Sequence, residues 1–128
     1  MKPSTMEWIE KAEDDWDLAQ RAYRARKRTH YDAACFNTQQ CVEKYLKAKL
    51  NEASLIFDKT HDLAELLKQT STVEPSWSSL QPQAIFLTDF AVLYRYPGKI
   101  ATKAQAQRAI KDCREVRRVI RTAFGLPV

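Results

Sequence analysis

Three polar side chains near the middle of the chain have types and spacing that suit a phosphate-bearing ligand. Glu43 lies three residues and Lys44 four residues after Gln40, so one helix face would present them together. An amide, a carboxylate and an ammonium group on one face could line a groove for such a ligand. The simpler alternative is that Glu43 pairs with Lys47 in the favourable i, i+4 order and that the face is solvated.

His61 and Arg95 are the other candidates for ligand binding, and they are weak candidates for catalysis. His61 follows Thr60, a predicted N-cap, and a helix dipole there would favour the neutral imidazole, which could act as a base. Arg95 could pair bidentately with a phosphate. Alternatively, His61 packs or helps to cap the helix, and Arg95 forms a salt bridge with Glu43 or Asp89. We expect four side chains to converge on one groove: Gln40, Lys44, His61 and Arg95.

Basic residues concentrate in two zones of a chain whose formal net charge is +5. Residues 21–30 contain five bases and no acid, whereas residues 1–20 contain six acids and two lysines. This distribution suits a phosphate-bearing partner, although acids at the start of a helix and bases at its end also complement the helix dipole. The second zone is a predicted basic surface on the last helix, formed by Lys111, Arg114, Arg118 and Arg121.

The cysteines and histidines favour neither disulfide nor metal chemistry. Cys35, Cys41 and Cys113 are odd in number and lie in apolar patterns, so we expect buried free thiols in a reducing compartment. His30 and His61 lie at no ligand-like spacing from them, and we expect no metal and no cofactor. Without a signal peptide or an apolar run of about 20 residues, the expected location is the cytoplasm, away from membranes.

Hydrophobic periodicity predicts a single all-α domain over residues 1–128. Apolar residues recur at steps of three and four, and two glycines are too few for a sheet sandwich with many hairpins. Ser4 and Glu7 form a predicted capping box for a first helix that ends near residue 27. Asp32, Thr60 and Thr102 are predicted caps of later helices. The later helices span about 33–52, 61–70, 80–95 and 103–124, with a loop at 71–79.

Three short stretches, in this order and spacing, resemble the small prokaryotic HEPN domains. They are Asn-Thr-Gln-Gln-Cys-Val-Glu-Lys-Tyr-Leu-Lys-Ala at residues 37–48, Lys-Thr-His-Asp-Leu at 59–63 and Leu-Tyr-Arg-Tyr-Pro at 93–97. The resemblance implies an up-and-down bundle of four to five helices that commonly forms a homodimer. It also implies a partner, since such proteins are often encoded beside a minimal nucleotidyltransferase in a toxin–antitoxin-type module. A nucleotide or RNA is the implied ligand.

The sequence departs from the pattern of the HEPN proteins that are metal-independent ribonucleases. These use an Arg-x(4–6)-His motif near the last helices, but no histidine follows Arg95 at residues 100–102. Arg24 and His30 match the motif literally in the connector after the first helix, which is the wrong place. A binding and regulatory module is therefore the favoured function. The alternatives are a ribonuclease that uses Arg95 and His61, alone or across a dimer, and a passive dimeric scaffold.

Overall fold

The protein is a bundle of five α-helices without a β-strand, and the structure, a computed structural model, describes residues 1–128. The expected all-α architecture is therefore confirmed. Three short 3-10 segments, Pro75–Leu80, Asp89–Ala91 and Leu93–Arg95, lie on either side of the fourth helix. The α-helices are α1 (Pro3–Arg24), α2 (Tyr31–Glu52), α3 (Leu63–Thr70), α4 (Gln81–Thr88) and α5 (Lys103–Ala123).

The central helix is α2, as its apolar positions on more than one face predict. It contacts α1 along most of its length and also touches α3, α4 and α5. Tyr45, Leu46 and Leu50 are fully buried, because a helix enclosed on several sides has no polar outer face. No helix has both the length and the apolar content that a membrane span requires.

Three of the four predicted helix caps are wrong, each for a local reason. Pro3 begins α1, since proline suits the first helical position, and Lys2 rather than Ser4 is the N-cap. Asp32 lies inside the first turn of α2, where Oδ1 accepts a hydrogen bond from the Ala101 N–H at 2.6 Å. Asp62, not Thr60, caps α3 through hydrogen bonds from the amides of residues 64 and 65. Only the Thr102 cap of α5 is confirmed, within a complete capping box.

The ends of two helices also differ from the prediction. α1 ends at Arg24, so the basic residues 26–28 belong to the connector. α4 ends at Thr88, and two 3-10 turns separated at Val92 (φ −128°) replace its predicted last two turns. Aromatic packing accompanies this change. Phe90 is buried, and its ring centroid lies 4.6 Å from that of Tyr94. The shorter turns place Arg95 beside α2.

A closed polar cluster ties α1, α2 and α5 together at the edge of the core. The Glu13 carboxylate accepts hydrogen bonds from the Tyr45 hydroxyl at 2.6 Å and from Arg117 Nε at 2.7 Å, and Arg121 Nη1 lies 3.4 Å away. Burial alone would raise the pKa of Glu13, but these donors and the two guanidinium charges lower it. The cluster thus joins three helices with every cation directed inward.

The three cysteines are buried and free, as expected. Cys41 on α2 and Cys113 on α5 are completely inaccessible to solvent. Burial raises the pKa of Cys35 to about 12 and raises that of Cys41 well above its ordinary value. These side chains therefore act as small apolar residues of the core.

Candidate functional site

One face of α2 carries the residues on which the candidate site is built. Phe36, Gln40, Glu43 and Lys47 follow one another at steps of four, three and four residues, so they form one line along the helix. The separation between Phe36 and Glu43 corresponds to about 10 Å of helix axis. We call this line the α2 groove.

The α2 groove holds His61 through a buried carboxylate. His61 Nδ1 lies 2.8 Å from Glu43 Oε1, and Lys47 Nζ lies 3.0 Å from the other oxygen, Oε2. Gln39 Nε2 donates both to Glu43 Oε1 at 3.2 Å and to the backbone carbonyl of His61 at 2.9 Å. Glu43 and Lys47 are only 4% and 7% exposed, whereas the His61 side chain is 60% exposed. The carboxylate therefore anchors an imidazole that faces solvent.

This arrangement can present one nitrogen of His61 to a ligand. A carboxylate that accepts a hydrogen bond from Nδ1–H fixes the tautomer whose Nε2 is an acceptor. Nε2 makes no hydrogen bond within the protein. The expected place of His61 in the first turn of α3 is wrong, because α3 begins two residues later, at Leu63, behind the Asp62 cap. The Glu43 carboxylate, rather than a helix terminus, sets the environment of the ring.

Arg95 reaches the other end of the α2 groove from the last 3-10 turn. Its guanidinium lies 4.6 Å from the ring centroid of Phe36, a cation–π contact that holds the side chain against α2. The expected alternative, a salt bridge to Glu43 or Asp89, does not occur. A hollow of about 370 Å³ opens beside it, lined by Asp32, Ala33, Phe36, Tyr94 and Arg95. Arg95 is therefore a cation with no acidic partner at the edge of a hollow.

Gln40 and Lys44 have different positions. Gln40 lies between Phe36 and Glu43 on the α2 groove, and its amide donates to Gln39 Oε1 at 2.7 Å. Lys44 Nζ instead lies 2.6 Å from Asp15 Oδ2, which commits it to the interface between α1 and α2. The structure thus brings Gln40, His61 and Arg95 to one face and places Lys44 beside that face.

Sequence reasoning missed two members of this site, Phe36 and Gln39. The i, i+4 pairing of Lys47 with Glu43 is predicted from the sequence and is confirmed. Of the two missed residues, Phe36 has a readable signal, since it precedes Gln40 by four residues. The contact between Gln39 and the His61 carbonyl joins residues 22 apart in the chain, so no local sequence pattern predicts it.

The four basic residues of α5 are not equivalent. Lys111, Arg114 and Arg118 are exposed, but Arg118 pairs with Glu115 and the Arg114 guanidinium lies 5.6 Å from the Trp16 ring centroid. Arg121 is largely buried and donates to the Tyr45 hydroxyl and the Pro127 carbonyl. Less free charge remains on this helix than its sequence indicates.

Comparison with known proteins gives consistent matches over nearly the whole chain. A protein of Methanocaldococcus jannaschii named "Putative toxin MJ1304" is 30% identical over 131 aligned positions, which cover 89% of this chain and 84% of that protein. The crystal structure of TT1696 from Thermus thermophilus shares the fold, with a TM-score of 0.82 at 19% identity over 94% of this chain and 98% of that one.

A second solved structure and a family model name the family. The crystal structure of ST0689, described as an archaeal HEPN homologue, has a TM-score of 0.75 and 25% identity over 96% of this chain and 98% of that one. The model of the HEPN domain matches residues 5–123, which include all five α-helices apart from the first two residues of α1. The chain therefore belongs to the HEPN domain family.

Proposed function

We propose that this chain is the HEPN component of a toxin–antitoxin-type module, that it partners a minimal nucleotidyltransferase, and that it binds a nucleotide or RNA in the α2 groove. The observation that carries the binding proposal is the position of His61 and Arg95 over one face of α2. The similarity to the Methanocaldococcus jannaschii protein named "Putative toxin MJ1304" supports the toxin–antitoxin context.

The chemistry of the groove suits a phosphate without a metal. Arg95 offers a planar fork of donors that no carboxylate of the protein occupies. His61, about 10 Å further along the helix axis, offers a solvent-exposed ring nitrogen, since it is held at Glu43. Gln40 lies between them. A nucleotide or a short stretch of RNA can contact both ends, with phosphate at Arg95 and a base edge or hydroxyl at His61.

Binding to a labelled single-stranded RNA, followed by fluorescence anisotropy, tests this proposal. Arg95→Ala should weaken binding at least about tenfold, the effect of losing one charge-assisted interaction. Arg118→Ala is the matched control, because it removes the same charge from an exposed site on α5. Both variants should melt close to the wild-type temperature. Equal affinities for the two variants would refute the assignment of Arg95.

The partner and the assembly state need separate experiments. Exposed apolar side chains at Val92, Leu93 and Tyr96 form a surface beside the groove that suits contact with another protein. A homodimer should have twice the 14.8 kDa mass of the chain in light scattering. A small nucleotidyltransferase encoded beside this chain should copurify with it when the two are coexpressed. A species of monomer mass at micromolar concentrations would argue against the homodimer.

A second candidate function, metal-independent RNA cleavage, is favoured by one observation: a buried carboxylate holds Nδ1 of His61 and leaves Nε2 free. Nε2 could remove the proton of a ribose 2′-hydroxyl. The 2′ oxygen would then form a bond to the adjacent phosphorus while the bond to the 5′ oxygen breaks, and water would protonate that leaving oxygen. The products would be a 2′,3′-cyclic phosphate and a 5′-hydroxyl. Cleavage should persist in a chelator, disappear in His61→Gln and never occur on DNA, which lacks the 2′-hydroxyl.

A further inference from the structure

The connector between α1 and α2 carries more positive charge than the helices require. Arg21 and Arg24 lie in the last turn of α1, where they complement its dipole. Arg26, Lys27 and Arg28 lie beyond the helix end, and none of them pairs with an acidic side chain. Since the dipole effect fades within the last turn, it does not account for these three cations.

Two hollows flank this connector and continue into the one beside Arg95. The larger, of about 480 Å³, shares Thr29 and Tyr31 with a neighbour of about 250 Å³. That neighbour shares Asp32 and Ala33 with the Arg95 hollow. The three are therefore adjacent along one path around the start of α2. We call this path the basic track; its cations are Arg24, Arg26, Arg28, Arg95 and Lys103.

The basic track has little acidic charge and several aromatic rings. Asp32 is the single acid that lines it, and Asp32 Oδ1 already accepts a hydrogen bond from the Ala101 N–H at 2.6 Å. Tyr23 and Tyr31 form a tilted pair with ring centroids 6.3 Å apart. Surfaces that bind single-stranded nucleic acid commonly combine cations, which contact the phosphates, with aromatic rings, on which the bases stack. An anionic lipid surface would use the cations alone.

We infer that the basic track binds the backbone of a single-stranded nucleic acid, so that the ligand of this protein is a strand of several nucleotides rather than a mononucleotide. This inference rests on the proposed function, because it extends the ligand of the α2 groove past Arg95. Length supports it: Tyr31 and Glu43 are twelve residues apart on α2, about 18 Å along the axis, and the connector adds to that distance. One nucleotide cannot reach from His61 to Arg26.

The test compares two fluorescein-labelled oligouridylates, of three and twelve nucleotides, by anisotropy over a range of salt concentrations. The dodecamer should bind the wild type at least about tenfold more tightly than the trimer. In the triple variant Arg26→Gln, Arg28→Gln, Lys103→Gln this advantage should vanish. The slope of log K against log salt should fall by about two, as three lost contacts to a single strand predict. Trimer binding should not change.

The matched control is Lys2→Gln, Lys11→Gln, Lys68→Gln, which removes the same charge from exposed sites off the track. Its dodecamer affinity should stay within about twofold of the wild type. Equal losses in both triple variants would overturn the inference, because they would show a response to net charge alone. If the track variant lost binding to phosphatidylserine vesicles but kept oligonucleotide binding, the inference would also be overturned, in favour of a membrane surface. If the trimer fails to bind the wild type but the dodecamer still depends on the track, the α2 groove assignment fails and the track stands.

Discussion

Glu13 and Glu43 each centre a cluster of polar side chains, and the two clusters differ in what their partners expose. The cations bound to Glu13, Arg117 and Arg121, have side chains only 17% and 13% exposed. At Glu43 the carboxylate and Lys47 are buried, but the third partner, His61, is 60% exposed. The first cluster is closed to solvent on its cationic side, and the second opens into the α2 groove.

The difference shows that an ion pair with little exposure does not by itself mark a functional site. The donors around Glu13 are all used to join α1, α2 and α5, so nothing remains for a ligand. At Glu43 a more deeply buried carboxylate supports a titratable ring that still has a free nitrogen. Exposure of one member within an otherwise buried cluster is the feature that distinguishes a candidate site from a structural tie.

The largest expected effect comes from removing the charge at the centre of the open cluster. Glu43→Gln should lower the free energy of unfolding by about 3 kcal/mol, because it leaves buried Lys47 without a counter-ion. The melting temperature should fall by roughly 10 °C. Glu115→Gln is the control, since it breaks an exposed pair with Arg118 and should cost less than about 0.5 kcal/mol. Similar melting curves for the two variants would show that the buried pair contributes little.

A smaller loss is expected in the closed cluster. Arg117→Met should destabilise the protein by about 2 kcal/mol, since Arg121 remains 3.4 Å from Glu13 and compensates in part. RNA affinity should not change. Arg118→Met is the matched control on the same helix. A clear loss of RNA binding in Arg117→Met, measured by anisotropy, would contradict the separation of the two clusters.

The Glu13 cluster should contribute to the stability of the protein in acid, because the pKa of Glu13 is lowered in the folded protein. A carboxyl with a depressed folded pKa adds stability above its unfolded pKa of about 4.5, and this contribution is lost as the pH falls through the lower folded value. Glu13→Gln should therefore weaken the dependence of stability on pH below about 4.5. Urea unfolding at a series of pH values measures it. An unchanged acid profile in Glu13→Gln would count against the cluster as a source of stability.

The smallest stability effect is expected at His61. His61→Gln should cost less than about 0.5 kcal/mol, because the ring is mostly exposed and Glu43 Oε1 keeps its hydrogen bond from Gln39. The same variant should weaken RNA binding, unlike Arg117→Met. Denaturant unfolding and anisotropy on one preparation give both quantities. A stability loss above about 2 kcal/mol with intact binding would make His61 a structural residue.

Hydrophobic periodicity was sufficient to predict the architecture, because an amphipathic helix places apolar residues at regular steps in the sequence. It placed α2 in the centre and located α5 with its Thr102 cap. The ends of the helices were harder to predict, since several side chains compete to hydrogen-bond the same backbone groups. Asp62 and Thr60 are both residue types that cap helices well, and in the structure it is the Asp62 side chain that accepts hydrogen bonds from the first free amides of α3. The end of α4 depends on packing at Phe90, which lies beyond the reach of a local pattern.

The candidate site was predictable in its residue types but not in its contacts. His61, Gln40 and Arg95 do share one face of the bundle, yet their partners come from distant parts of the chain. Glu43 contacts His61, which lies 18 residues further along the chain. Arg95 packs on the Phe36 ring and forms no salt bridge with Glu43 or Asp89, the two predicted partners. Lys44 pairs with Asp15 on α1, a choice that only the α1–α2 interface determines.

The burial of all three cysteines has a practical consequence for studying motion in this protein. A thiol reacts as its thiolate, so inaccessible cysteines with raised pKa values, such as Cys35 and Cys41, should react with alkylating reagents only when the bundle opens. A cysteine introduced at exposed Ser78 should then be the sole site of rapid labelling in the native state. The slow reaction of the native thiols would report how often α2 and α5 separate, with no substitution in the core.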